Sequence, residues 1–259
     1  MRFGFCGTTD MAEKAVQAGF DYIEPRADSI YEMTDAEYAD AVCRVKSAGI
    51  KCEAFNVLFP NEIKLTGPDA DLQKAERYIQ NILPKLRGLG SEIIVLGNQG
   101  VRTYPQGFRH DRAYEQFIQV ARMLGSQSYN NGVTAVLEPL ERGATNLINT
   151  MAEGIQCVKD TAHPCFLLLA DFFHCSAVGD GGKEVQSGGI YLRHTHIACP
   201  GTRKNPTEGD GGGYEEFFAA LANIGYNERM TFEGKWDFDK DAGETLRYMR
   251  ELSKGVVIA

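Results

Sequence analysis

Val133-Thr134-Ala135-Val136-Leu137-Glu138-Pro139-Leu140 is a run of β-branched and apolar residues that stops abruptly at a carboxylate. Asn131-Gly132 precedes it and Pro139 follows Glu138, so the run reads as a short buried strand between turn residues. A glutamate at the end of a buried strand is costly unless something pairs with it or binds it. The same punctuation recurs downstream. Residues 166–170 end in Asp171, 191–195 end in His196, and 229–232 end in Glu233. Successive strand ends therefore each deliver one side chain competent to hold a metal.

Working outward from this set, strands and helices alternate along the whole chain. Residues 2–6, 21–24, 51–55 and 92–96 read as the preceding strands. Helical periodicity covers 11–18, 35–48, 69–87, 111–129, 149–161, 214–224 and 242–252, with loop and a short helix over 179–188. Asp10 is placed to cap the first helix, and Thr34 with Glu37 forms a capping box for the second. Pro84 is positioned to kink the helix over 69–87 near its end. Such alternation predicts parallel strands with helical crossovers, and eight repeats predict a closed (β/α)₈ TIM barrel formed by residues 1–259 as one domain. An open doubly wound sheet is the alternative. A barrel gathers functional groups at the carboxyl ends of its strands, where the four candidate ligands fall.

The chain's 259 residues suit a single barrel, which typically needs roughly 250. A net charge of −8 opposes a nucleic-acid surface and suits an enzyme of a small neutral substrate. No apolar run approaches the roughly 18 residues of a membrane span, and the start shows no apolar signal region. Seven scattered cysteines without a C-x-x-C pair read as reduced thiols in a cytoplasmic compartment.

Glu138, Asp171, His196 and Glu233 form a hard, oxygen-rich donor set. It suits Mn²⁺, Mg²⁺ or Co²⁺ better than a structural zinc, which usually shows sulfur or several histidines. The competing reading is four isolated polar residues, each capped by the following loop. His174, just past the Asp171 strand end, is placed to donate to a substrate oxygen or else to face water. Arg203, in the loop after the seventh strand, is placed to hold a substrate oxygen or else to be solvated. His194 shares a strand face with His196 and reads as support or core; His110 and His163 read as surface residues. Gly209-Asp210-Gly211-Gly212-Gly213 lacks the Lys-Ser/Thr of a P-loop and reads as a turn, whereas Gly97-Asn98-Gln99-Gly100 is a possible oxygen-binding turn. Phe59, Tyr104, Phe108 and Trp236 lie in loops where they either wall a pocket or pack locally.

The motifs Glu138-Pro139-Leu140-Glu141-Arg142, Leu169-Ala170-Asp171-Phe172-Phe173-His174 and His194-Thr195-His196-Ile197-Ala198, with the strand ending at Glu233, resemble the xylose isomerase-like sugar isomerase/epimerase superfamily, in particular its ketose 3-epimerase and hydroxypyruvate isomerase branch. The resemblance covers nearly the whole chain. It implies a divalent ion, usually manganese, on Glu138, Asp171, His196 and Glu233, with the two glutamates as the acid/base pair and His174 and Arg203 on the substrate. It also implies an isomerase or epimerase acting on a ketose or keto-sugar through an enediolate, and a homo-oligomer, dimer or tetramer. Two positions depart from the epimerase motif: Glu141 replaces its asparagine and Ala144 replaces a carboxylate that contacts substrate. Arg203 aligns only after a shift of one residue.

Other chemistries fit parts of this pattern. A metal-dependent lyase could cleave a 3-keto glycoside by β-elimination, with Ala144 leaving room for the aglycone. An abasic-site endonuclease would need a multi-zinc cluster and a basic groove, which five histidines and an acidic balance oppose. A non-catalytic sugar-binding barrel would bind sugar without exchanging its hydrogens. The sequence leaves open the sugar, its phosphorylation and the oligomeric state.

Overall fold

Side chains along the strand β5 (Thr134–Leu137) alternate between two apolar environments. Ala135 and Leu137 pack outward into the large core, while Val136 joins Tyr22, Ala54, Ile93, Val95 and Leu169 in a smaller one. The smaller cluster is the interior of a barrel and the larger is the layer between barrel and helices. In the computed structural model, which describes residues 1–255, eight strands are present among the described residues. They are β1 (Arg2–Cys6), β2 (Tyr22–Glu24), β3 (Ala54–Phe55), β4 (Ile93–Leu96), β5, β6 (Phe166–Asp171), β7 (Leu192–Ile197) and β8 (Arg229–Phe232). All pairings are parallel, in the order β2-β1-β8-β7-β6-β5-β4-β3.

The two ends of that sheet meet. Arg26 and Asn56 form a parallel bridge, Ile23 N donates to Lys51 O at 3.1 Å, and Asn56 N donates to Pro25 O at 3.1 Å. This seam closes a TIM barrel and disposes of the open sheet. The third strand, expected over 51–55, is regular only over Ala54–Phe55 because it borders the seam. At the amino-terminal face of the strands, Arg229 binds Glu53 at 2.8 Å and also pairs with Glu92, while Arg2 pairs with Glu53, so charges tie that rim together.

The helices are α1 (Ala12–Ala18), α2 (Ala27–Glu32), α3 (Asp35–Ala48), α4 (Leu72–Gly88), α5 (Gln99–Arg102), α6 (His110–Asn131), α7 (Met151–Thr161), α8 (Phe172–Val178), α9 (Gly182–Ser187), α10 (Tyr214–Asn223) and α11 (Phe238–Gly255). Thr34 and Glu37 cap α3 reciprocally, as their spacing predicts, which is worth about 1 kcal/mol. Asp10 does not cap α1: it lies inside the 3₁₀ turn Thr9–Met11, and neither helix start there has a side-chain cap. Pro84 lies inside α4, which continues to Gly88. The short helices α2, α5 and α8 escape the periodicity argument because a helix of one or two turns carries too few apolar repeats. No helix among the described residues is long and apolar enough to cross a membrane.

Candidate active site

A step of two residues along a strand keeps a side chain on the same face. Glu138 therefore follows Val136 onto the inner face, and Asp171 follows Leu169. Glu24 follows Tyr22, His196 follows His194, and Glu233 follows Thr231. The barrel thus carries its apolar interior up to a polar layer at the carboxyl ends of its strands. The parallel register brings Asp171 level with His196, and His196 level with Thr231.

One donor atom from each of Glu138, Asp171, His196 and Glu233 lies within 4.8 Å of the others. His196 Nδ1 is 3.5 Å from both Glu138 Oε1 and Glu233 Oε2. Ligands about 2.0–2.2 Å from one ion stand up to about 4.4 Å apart, so the observed cluster is close to a coordination shell. Glu138 Oε1, Asp171 Oδ2 and His196 Nδ1 are buried and have no hydrogen-bond partner. Buried polar atoms left unpaired in this way call for a ligand. The residues present therefore fit a divalent cation. Gly97, at the end of β4, is part of the cradle: a Cβ there would overlap the Glu138 carboxylate.

The electrostatics agree. Burial and the charges of Glu138 and Glu233 push the Asp171 carboxyl up to about 8. Burial also raises Glu138, against the opposing hydrogen bond from His196. For Glu233 burial is outweighed by the His196 charge and its carboxyl falls below the usual range. Crowded carboxylates cannot all ionise by themselves, and a cation among them removes the conflict.

Glu24 gives the site its order, and strand-end reasoning passed over it. Its Oε1 lies 2.9 Å from His196 Nε2 and its Oε2 lies 2.8 Å from His194 Nε2. Tyr22 OH, 2.7 Å from Thr231 Oγ1, donates into a hydroxyl that in turn donates to Glu24 Oε2 at 2.5 Å. Both carboxylate oxygens are engaged at hydrogen-bond length, so this trio orients His196 instead of enclosing a second ion. With Nε2 as the donor to Glu24, the lone pair of His196 is on Nδ1 and faces Glu138 and Glu233. Burial opposes the Glu24 charge, but the His196 and His194 imidazoles overcome it and hold the carboxyl well below the usual range. Glu24 ends its strand with the same carboxylate punctuation as Glu138, and that was the available signal. Gly4 lets the network form, because a Cβ there would overlap the Tyr22 ring.

His174 is buried on α8. Its Nδ1 accepts from Glu141 N at 3.2 Å, which places the proton on Nε2, 3.6 Å from Asp171 Oδ2. Burial and the nearby Arg203 charge lower the His174 imidazole to about 3, so it is a neutral donor directed at the cluster. Arg203 donates from Nη2 to Glu233 Oε2 at 2.9 Å, and its guanidinium stacks 4.7 Å from the Phe173 ring centroid. The structure thus brings both sequence-selected side chains to the cluster. Arg102, which the sequence gave no reason to select, is fully buried and donates from Nη2 to the Glu138 carbonyl at 2.6 Å. Burial lowers its guanidinium to about 10, partly countered by the Glu138 charge, so it remains a cation behind that residue.

Other candidates lie elsewhere. Asn98 ties the β3 and β4 loops together through Phe59, so its turn is structural. Phe59 is fully buried against Tyr78, and Trp236 packs among Phe5, Phe20, Phe232 and Phe238. Both are packing residues and neither walls the site. Tyr104 and Phe108 have ring centroids 6.3 Å apart, and the Tyr104 hydroxyl meets exposed His110. His163 is half-buried, accepting from Cys165 N. The glycine-rich segment is a turn organised by Asp210, which accepts from Thr207 N, Gly212 N and the Tyr214 hydroxyl.

An eight-stranded parallel barrel with three carboxylates and an imidazole converging at its mouth defines a TIM-barrel protein with a centre built for a divalent ion. The sequence profile of the xylose isomerase-like TIM barrel family matches residues 12–252, and the chain belongs to that family. It is 28% identical to the D-psicose 3-epimerase of Ruminiclostridium cellulolyticum, over 94% of this chain and 83% of the relative. It is 26% identical to the L-ribulose 3-epimerase of a Methylomonas species, over 85% and 75%. A crystal structure of a D-psicose 3-epimerase in the presence of D-fructose superposes with a TM-score of 0.87 at 22% identity, covering 98% of this chain and all of the other.

Proposed function

We propose that this protein is a divalent-metal-dependent ketose epimerase that moves a proton at the carbon next to a ketone. The observation that carries the reading is the convergence of Glu138, Asp171, His196 Nδ1 and Glu233, with buried acceptor atoms left unpaired. The two curated relatives, which are ketose 3-epimerases, support it. Glu138, Asp171, His196 and Glu233 would hold the ion, with Mn²⁺ the best match to a carboxylate-rich shell and Mg²⁺ or Co²⁺ compatible. When bound, the ion supplies Lewis acidity that polarises the ketone and stabilises charge as the C–H proton leaves.

The remaining work belongs to the chain. One of Glu138 and Glu233 takes the α-proton to give the enediolate, and the other returns a proton from the opposite face. Because the reaction is reversible, the two exchange roles with direction. His174 donates from Nε2 to a substrate oxygen and stays neutral throughout. Arg203 holds the Glu233 carboxylate in place and offers its remaining N–H groups to a substrate hydroxyl. Positioned proton transfer contributes about 10²–10⁴-fold, so orientation and charge stabilisation supply much of the rest.

The test is isotopic. Purified protein loaded with Mn²⁺ should bind about one ion per chain through this shell. In D₂O it should place deuterium at C3 of a ketose such as D-psicose or L-ribulose while forming the epimer. Glu138→Gln and Glu233→Gln should each abolish the exchange. Loaded protein that exchanges no ketose hydrogen, or metal-stripped protein that retains full activity, would overturn the reading.

A further inference from the structure

Beside the cluster, a cleft of about 700 Å³ opens between the loops that follow β1 and β2 and the helices α2 and α3. Its floor is Cys6, Glu24, Asn56 and Glu233, shared with the site; its rim reaches the exposed residues Thr8 and Ser29. We propose that the substrate is an uncharged keto-sugar larger than a free monosaccharide, with its reacting ring over Glu138 and Glu233 and a second sugar ring in this cleft. The proposal rests on the proton-transfer reading above and concerns only what is attached to the reacting ring.

Size is the first argument. A free ketohexose has about twelve heavy atoms. Even at the roughly 30 Å³ that a water molecule occupies in the liquid, it fills about 360 Å³, near half of the cleft. Two joined hexose rings, with about twenty-three heavy atoms, come to about 690 Å³ on the same measure. Ligand sites commonly bury most of the molecule they hold, so the larger ligand matches the space.

The second argument is a polar group waiting in the floor. Asn56 is 6% exposed and lines the cleft. Its Nδ2 donates to Cys6 Sγ at 3.0 Å, while its Oδ1 is buried without a partner. That oxygen is an acceptor for a sugar hydroxyl. The next residue, Val57, also lines the cleft and has a φ of 45°, a conformation that a β-branched residue adopts only under constraint. Ala27 N and Asp28 N donate to the carbonyls of Asn56 and Val57 at 2.8 and 3.3 Å, holding the bend. Strain kept in place beside an unpaired acceptor is the mark of a binding surface.

Charge is the third argument. Asp10, Glu24, Glu32, Glu37, Asp40 and Glu233 line the cleft against only Arg26 and Arg44. Arg26 is already bound to Asp28 at 2.5 Å. A phosphorylated or carboxylated sugar would meet a net negative wall, so the second ring and its substituents are neutral.

The experiment compares free D-fructose and D-psicose with ketodisaccharides in which a glucosyl group is attached at O4, O5 or O6 of fructose. Solvent exchange at C3 and equilibrium binding to Mn²⁺-loaded protein are both read. At least one disaccharide should show kcat/KM and affinity tenfold or more above the free hexose. Ser29→Trp and Thr8→Trp, at exposed rim positions that leave folding intact, should lower that preference toward one. D-fructose 6-phosphate should bind more weakly than D-fructose. Equal or weaker binding of every disaccharide, a preference untouched by both tryptophans, or tighter binding of the phosphate overturns the proposal. Absence of exchange with any sugar overturns the epimerase reading instead, and the binding comparison still decides what the cleft accepts.

Discussion

Glu24→Gln tests whether the site depends on a carboxylate that touches no metal-competent atom. In the native protein Glu24 accepts on both oxygens, from His196 at 2.9 Å on one and from His194 at 2.8 Å and Thr231 at 2.5 Å on the other. Glutamine keeps the volume but offers one acceptor and one NH₂ group. If its oxygen serves His194 and Thr231, its NH₂ points at His196 Nε2. His196 must then shift its proton to Nδ1, the atom that faces Glu138 and Glu233. The reverse orientation leaves Thr231 and His194 opposing a donor in a fully buried layer. Loss of a carboxylate behind a ligating histidine typically weakens metal binding 10–100-fold, about 1.4–2.7 kcal/mol. Calorimetric titration of Mn²⁺ into metal-free protein reads this directly. Nitrogen NMR of the imidazole in the metal-free protein separates the tautomers, and a thermal melt shows that the variant is folded. Wild-type affinity with a native Nδ1 lone pair in the folded variant would refute the reasoning.

Gly97→Ala forces a Cβ onto the Glu138 carboxylate, so it should weaken ion binding at least tenfold while the circular dichroism spectrum stays native; unchanged affinity would show that Glu138 is not held there. Because Asp171 is raised to about 8, its proton competes with a cation below that pH. The logarithm of the affinity should therefore climb by about one unit per pH unit from pH 6 toward 8 and flatten above it, and a flat profile over that range counts against the raised carboxyl. Cys43 is exposed, whereas burial pushes Cys52 and Cys157 up to about 12, leaving about one thiolate in ten thousand at pH 8. Alkylation followed by peptide mass mapping should label Cys43 first and reach the other two only after unfolding.

The barrel was legible because its strands are short apolar runs with sharp turn punctuation, and because the same rhythm repeats eight times. Glu138, Asp171, His196 and Glu233 were legible for the same reason: a carboxylate or imidazole at the end of a buried strand has few inexpensive fates. The Thr34–Glu37 cap depends only on residues three apart, so spacing suffices. Asp10 shows the limit of that logic, since the chain winds into a 3₁₀ turn before α1 and moves the cap position away.

What the sequence determined by itself was local: alternation, caps, and which side chain stands at each strand end, all set by backbone geometry within a few residues. Tertiary structure alone decided how those ends meet. Glu24 reaches His194 and His196 across 170 and 172 residues, and Arg102 lies behind Glu138 at a separation of 36. The cleft exists because helices α2 and α3 stand off from the barrel beside the seam at Arg26 and Asn56. Distances between segments far apart in the chain follow from barrel closure and parallel register, and neither is written in any one stretch of residues.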